Sequence, residues 1–373
     1  MKISIVLGTR PEIIKMSPII RECERLEVDY FILHTGQHYS YNMDKVFFED
    51  LELPDAGYNL DVGSGHHGWQ TGKMLVGMEK ILEKERPDVV LVQGDTNSTL
   101  AGALAAVKLG IRVGHVEAGL RCYDRRMPEE INRTLTDHCS DYLFAPTEKS
   151  KKILLSEGVP KEKIFVTGNT VVDAVFQNLE IANRKRNVMN DLELRSKCYF
   201  LVTAHRQENV DNKARFAWIL RGLKNIAEEF GLPLVYPVHP RSRKQMKEFG
   251  LQPDEVRLID PIDFLSFLQL ENNARLVLTD SGGVQEEACV LGVPCVTLRD
   301  NTERPETVEV GSNVLAGADS DKILKCAKMM VSRENSWANP FGDGDAGRKT
   351  VEILRGIDLF GTASAPQIPG KGC

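Results

Sequence analysis

Short apolar runs alternate with helix-length segments along nearly the whole chain, and this alternation excludes most architectures. Runs at residues 3–7, 30–34, 88–92, 112–116, 142–145 and 164–167 are long enough for buried strands. Between most of them lie segments with helical spacing, near residues 12–26, 71–85, 99–109 and 129–140. A second series follows, with strand-like runs at 199–203, 234–238, 256–259, 276–279 and 295–298 and a helix near 215–230. Strands that are apolar throughout, rather than alternating, are buried on both faces, which is the pattern of a parallel sheet covered by helices. Two such series predict an α/β protein of two doubly wound Rossmann-like domains facing each other across a cleft. At 373 residues the chain is also long for a single core.

The expected boundaries are 1–170 for the first domain and 171–344 for the second. A helix near 345–358 joins the first domain, and residues 361–373 read as a flexible tail. Residues 180–197 are charged and poor in glycine, reading as a solvated helix and linker. A net charge of −6 argues against a general nucleic-acid binder, so any anion site must be local. No apolar run reaches the length of a membrane span, and the start lacks a signal-peptide cleavage site. The eight cysteines are scattered with no Cys-x-x-Cys pair, which fits reduced thiols in a cytoplasmic protein.

In doubly wound folds ligands bind beyond the carboxyl ends of the strands, and there the polar residues cluster. Thr279-Asp280-Ser281-Gly282-Gly283 joins a strand to a helix. Its glycines allow a tight bend and close approach, and the helix start offers N–H groups and a positive dipole end to a phosphate. Ser-Gly-Gly alone is equally an ordinary helix cap. Gly8-Thr9-Arg10-Pro11-Glu12 lacks a Gly-x-Gly-x-x-Gly fingerprint, which weakens a dinucleotide reading, but it sets Arg10 and Lys15 near a helix start. Asp95, Glu117 and Glu129 follow successive strands. Converging on one cleft, they would raise one another's pKa values and serve as proton acid and base. His205 follows the first strand of the second series and suits acid–base work or a phosphate. His239, flanked by Pro237, Val238 and Pro240, reads as structural. His66 and His67 have no suitably spaced third ligand, which argues against a metal site.

Together these motifs resemble the non-hydrolysing UDP-N-acetylglucosamine 2-epimerases. The resemblance runs from Met1 to about Leu354 and rests also on Gly94-Asp95-Thr96, Val116-Glu117-Ala118-Gly119-Leu120-Arg121, Pro128-Glu129-Glu130-x-Asn132-Arg133, Gln285-Glu286-Glu287 and Thr302-Glu303-Arg304-Pro305-Glu306. It implies a GT-B-like fold, a homodimer, and conversion of UDP-GlcNAc to UDP-ManNAc by anti elimination of UDP to 2-acetamidoglucal and re-addition. No cofactor is implied. Carried onto this chain, it makes Asp95, Glu117, Glu129 and His205 catalytic. Arg10, Lys15, Ser281, Gly282, Gly283 and Arg304 become diphosphate contacts, Glu287 the ribose contact, and Phe267 the neighbour of uracil.

The chain departs from the family in two places. Ile262 stands where some relatives carry a glutamine near uracil, so a backbone contact takes its place. Gln37 and His38 match part of a second UDP-GlcNAc site that activates bacterial relatives, but an arginine of that site is Trp69 here, in an altered loop at residues 63–72 expected to be mobile. Two other readings share the fold: a 2-epimerase for another UDP-2-acetamido sugar, and a GT-B glycosyltransferase. The latter has less use for three cleft carboxylates.

Overall fold

The structure, a computed structural model, describes residues 1–37 and 41–359. His38 and the tail expected at 361–373 lie outside them. By its internal contacts the chain forms two compact units, Val175–Phe341 and the remainder, which comprises Met1–Ala174 and the chain from Gly342 onward. Among the described residues no helix is long and apolar enough to cross a membrane.

Among the described residues the first unit holds seven strands: β1 (Lys2–Leu7), β2 (Asp29–His34), β3 (Tyr58–Asn59), β4 (Val89–Gln93), β5 (Arg112–Val116), β6 (Tyr142–Ala145) and β7 (Ile164–Val166). They lie in the order β3-β2-β1-β4-β5-β6-β7, and every pair is parallel. Ile3, Ile5, Val6 and Leu7 are buried, as are Val89 to Val92, as expected of central strands sandwiched between helices. The second unit repeats the scheme with β8 (Phe200–Thr203), β9 (Leu234–Pro237), β10 (Val256–Ile259), β11 (Leu276–Thr279), β12 (Cys295–Thr297) and β13 (Asn313–Leu315), ordered β10-β9-β8-β11-β12-β13. In each sheet the strand order therefore reverses once, between β1 and β4 in the first and between β8 and β11 in the second. These switch points open the crevices where such folds take ligands.

Two expectations change. Residues 180–197 are not a solvated linker. The helix Thr170–Lys185 covers their start, and Val188 is buried in an apolar cluster with Tyr199 and Leu270, against which Met189, Leu192 and Leu194 pack. Those apolar residues sit between charges at helical spacing and so escape a composition reading. The stretch 63–72 is largely helical, because the helix His67–Glu85 starts within it. The helix expected near 345–358 is present, running Ala346–Leu359. It packs on the helix Arg10–Arg25. A Cβ on Gly347 would stand 2.9 Å from Pro18 Cβ, so only glycine permits that approach.

Candidate functional site

At the switch point of the first unit, Glu12 ties two loops together. Its carboxylate accepts from Gly8 N and Thr9 Oγ1, both at 2.9 Å, and from Thr96 Oγ1 at 2.7 Å and Thr99 Oγ1 at 3.2 Å. Burial pushes its pKa up, and the four donors oppose that rise. Gly8 is required by packing, since a Cβ there would collide with Ser98 Oγ and Thr35 Oγ1. Behind the β4 turn, the buried His115 links Asp137 Oδ1 at 2.7 Å to the carbonyl of Gly94 at 2.8 Å. The Gly94-Asp95 turn is thus braced from below.

Glu117 follows β5 with a φ of +70°, a left-handed conformation that costs a non-glycine residue on the order of 1 kcal/mol or more. The bend survives because Glu117 N and Ala118 N both donate to Phe144 O at 3.1 Å. Its buried carboxylate is gripped by Lys15 Nζ at 2.7 and 2.9 Å, by Gln93 Nε2, and by Asn169 Nδ2 at 3.4 Å. Lys15 therefore serves a carboxylate here, where the sequence suggested only a phosphate. Arg10 is paired with Asp44 at 3.3 Å. Asp95 is paired with Arg133, and its carbonyl accepts from Asn132 Nδ2 at 2.9 Å.

Asp95 and Glu129 line one cavity of about 290 Å³, together with Gln37, His67, Gln70, Asn97 and others. Glu117 sits beside it rather than in its wall, with Oε2 at 4.0 Å from where a Gly94 Cβ would be. Asp95 and Glu129 thus share a cavity and Glu117 lies against the adjoining Gly94 turn, and the simple repulsion expected from the sequence is modified by two cations, Lys15 and Arg133. These partners lie far away in sequence, 102 residues from Lys15 to Glu117. Gln37 is buried, and its Oε1 accepts from Ser98 N at 3.1 Å and Ser98 Oγ at 2.6 Å. Trp69 is exposed on its helix beneath the ammonium of Lys73, 4.8 Å from the ring centre.

The second switch point is built differently. The fully buried Asp280 accepts from His205 N at 3.0 and 3.1 Å, from Arg206 N at 3.0 Å and from Asn209 Nδ2 at 3.0 Å. It also lies 3.5 Å from His205 Nδ1. The His205 ring is part-exposed and stacks on His239, with centroids 5.5 Å apart. Burial, then the neighbouring His205, lower the His239 pKa. His239 accepts from Arg241 N at 3.2 Å, so it does cap a helix, but its contact with His205 was not legible from its flanking prolines.

Ser281 occupies the N-cap position of the helix Gly282–Val290, yet its side chain makes no cap hydrogen bond. Gly282 and Gly283 already belong to this helix and have no left-handed φ. The tight-bend role expected for them is therefore unnecessary. What remains is approach: a Cβ would meet nothing nearer than Glu303 Oε2 at 3.6 Å at Gly282, or Ser281 Oγ at 4.0 Å at Gly283. Arg304 is held by the buried Glu286 at 2.8 Å. Its loop is fixed by Arg299, which pairs with Glu303 at 2.8 Å, and by Thr302 Oγ1 donating to Gln285 Oε1 at 2.6 Å. Ile262 and Phe267 are part-buried against the apolar cluster that includes Val284 and Ala288.

Residues 21–355 match the family described as UDP-N-acetylglucosamine 2-epimerase. The chain belongs to that family. It is 58% identical over 362 residues, 95% of this chain and 99% of the relative, to the UDP-N-acetylglucosamine 2-epimerase of Methanocaldococcus jannaschii. A crystal structure of that organism's UDP-GlcNAc 2-epimerase in complex with UDP-GlcNAc and UDP superposes with a TM-score of 0.85, covering 95% of this chain and 99% of the other. The family extends to other sugars. The UDP-2,3-diacetamido-2,3-dideoxy-D-glucuronate 2-epimerase of Pseudomonas aeruginosa is 43% identical over 359 residues, 95% of this chain and 99% of that relative. The two doubly wound sheets are those of a 2-epimerase with the GT-B-like fold.

Proposed function

We propose that this protein interconverts UDP-GlcNAc and UDP-ManNAc by anti elimination and re-addition of UDP. The C2 proton is only weakly acidic, so the bond from C1 to the UDP oxygen must weaken as the proton leaves. In the elimination, a carboxylate takes the C2 proton, the C–H electron pair forms the C1–C2 double bond of 2-acetamidoglucal, and UDP departs with the C1–O pair. In the return step a proton reaches the opposite face of C2 and a UDP oxygen bonds C1. The route needs proton carriers on two faces and donors on the departing diphosphate.

Asp95, Glu117 and Glu129 act as proton carriers in this reading, with His205 assisting. Arg10, Lys15, Ser281, Gly282, Gly283 and Arg304 hold the diphosphate, Glu287 the ribose, and Phe267 and the backbone at Ile262 the uracil. The observation that carries the reading is Glu117, which is strained, buried and clamped by Lys15 beside a cavity that Asp95 and Glu129 line. Strain of that kind persists where function rewards it. Residues 1–170 with 345–358 then form the proton-transfer domain and 171–344 the UDP-binding domain. The family resemblance further supports a cytoplasmic homodimer that feeds cell-surface polysaccharide synthesis, and Gln37 with His38 as part of a second, regulatory UDP-sugar site.

Incubation with UDP-GlcNAc in heavy water is expected to place deuterium at C2 of both epimers. Absence of both exchange and UDP-ManNAc overturns the proposal. The diacetamido-glucuronate relative makes a parallel substrate panel informative, because turnover of that sugar alone would redirect the substrate while keeping the chemistry.

A further inference from the structure

Glu271 is a carboxyl group in the wrong place for an ordinary glutamate. It lies on the helix Phe264–Asn273 and is fully buried. Neither of its oxygens meets an N–H or O–H donor among the described residues. The helix is short and packs into the apolar cluster of Leu270, Ala274, Val277, Val284, Ala288 and Cys295. The ionisable groups close enough to act on Glu271 through their charge are the Glu287 carboxyl, the Cys295 thiol and the Tyr199 phenol. None of these is a cation. An ionised carboxylate buried there would be uncompensated, which proteins avoid by keeping the group neutral. Burial first, and then the charge of Glu287, push the Glu271 pKa well above the usual carboxylate range.

The placement of the two glutamates is set by helix geometry. Phe267 and Glu271 are four residues apart, so they share one face of their helix. On the neighbouring helix, Val284, Ala288 and Leu291 face the same cluster as Phe267. Glu287 flanks that row, and it is part-exposed where Glu271 is not. Two carboxylates cannot hydrogen-bond each other, because both only accept; a protonated one can donate to its neighbour.

We infer that Glu271 stays protonated and donates its O–H to Glu287, acting as a positioning residue for the nucleoside end of the site. One Glu287 oxygen is then occupied, its rotamer is held, and the carboxylate remains an acceptor for a vicinal diol, which brings two O–H donors. The inference rests on the reading of Glu287 as the ribose contact. Its chemistry also predicts how replacements rank. Glutamine keeps a neutral donor in place of the acid O–H. Methionine keeps the volume and removes the donor.

The test compares binding of UDP and 2′-deoxy-UDP by titration calorimetry to the wild-type protein, Glu271→Gln, Glu271→Met and Glu287→Ala, each checked by thermal melting. An infrared difference spectrum of wild type against Glu271→Gln at neutral pH accompanies it. The spectrum is expected to show the C=O band of a carboxylic acid, lost in the variant. The wild type is expected to prefer UDP. That preference should fall roughly tenfold in Glu287→Ala and in Glu271→Met, as for a lost charge-assisted hydrogen bond, and persist in Glu271→Gln. In turnover, Glu271→Met should raise KM and leave kcat nearly unchanged, the mark of lost ground-state binding. An unchanged preference in Glu287→Ala overturns the ribose reading beneath the inference. A preference lost in Glu287→Ala but kept in Glu271→Met, or absence of the acid band, overturns the inference while the ribose reading stands.

Discussion

The two switch points share a topology and differ in how they treat charge. In the first unit, the ends of β1, β4 and β5 carry carboxylates that meet cations and donors within the protein: Glu117 with Lys15, Asp95 with Arg133, Glu12 with three threonines. In the second, Asp280 is saturated below the surface, while the helix start at Ser281 and the His205 ring remain turned outward, with no side-chain cap at Ser281. On the proposed reading, the first end holds several proton positions at fixed spacing and the second receives an anion. The glycines make the same distinction. Gly8 is enclosed, whereas a Cβ on Gly282 or Gly283 would meet nothing nearer than 3.6 Å.

The largest effect that would test this division is on turnover. Asp95→Asn or Glu117→Gln should lower kcat by about 10²–10⁴-fold, the usual worth of a positioned acid or base, with UDP affinity nearly intact. A loss of UDP binding instead, seen by calorimetry, would erase the contrast between the units. Next, Gly8→Ala should destabilise the first unit by about 2–3 kcal/mol in denaturant melts, because the added methyl collides with Ser98 and Thr35. Gly283→Ala should leave stability within about 0.5 kcal/mol and weaken UDP by roughly tenfold. Equal behaviour of the two glycine variants would break the comparison.

The smallest effect concerns acid. Burial pushes the Glu303 carboxyl up, but hydrogen bonds and charge from Arg299 outweigh that and hold it at about 2, below its ordinary value of 4.5. A depressed carboxylate contributes stability above its unfolded pKa and loses it as pH falls through the folded one. Melts of the wild type should therefore lose about 1 kcal/mol more than Glu303→Gln between pH 4.5 and 2, the full linkage value being reduced by partial exposure. Identical acid slopes would show that the pair does not brace the Arg304 loop.

Long buried strands were legible because their signal is local. β1, β4, β5, β8 and β11 are runs of four to six residues, and nothing but burial on both faces explains such apolar density. The edge strands β3 and β13 were not legible. They have two and three residues, too few to show any period. The carboxylates and His205 stood out at strand ends, yet their partners did not. Nothing in Gly8-Thr9-Arg10-Pro11-Glu12-Ile13-Ile14-Lys15 says that Lys15 will meet a glutamate 102 residues later, and Asp280 looked like part of a phosphate motif rather than the anchor of His205. Glu271 gave no signal because an acid within a helix is ordinary, and only burial makes it otherwise. The assignment of Glu287 and Phe267 to a nucleoside came from family likeness, not from spacing.

The helix Ala346–Leu359 is made after the whole of the second unit and packs on the helix Arg10–Arg25. Val351 and Leu354 are buried, and Asp173 accepts from Gly347 N at 2.9 Å. During synthesis the first unit therefore emerges complete in its strands but missing one helical cover, and it must wait through the whole of the second unit before closure. Its contacts of greatest sequence separation form last, which slows folding and prolongs exposure of an apolar face. Synthesis of the second unit, rather than completion of the first sheet, sets the moment at which the first unit can close.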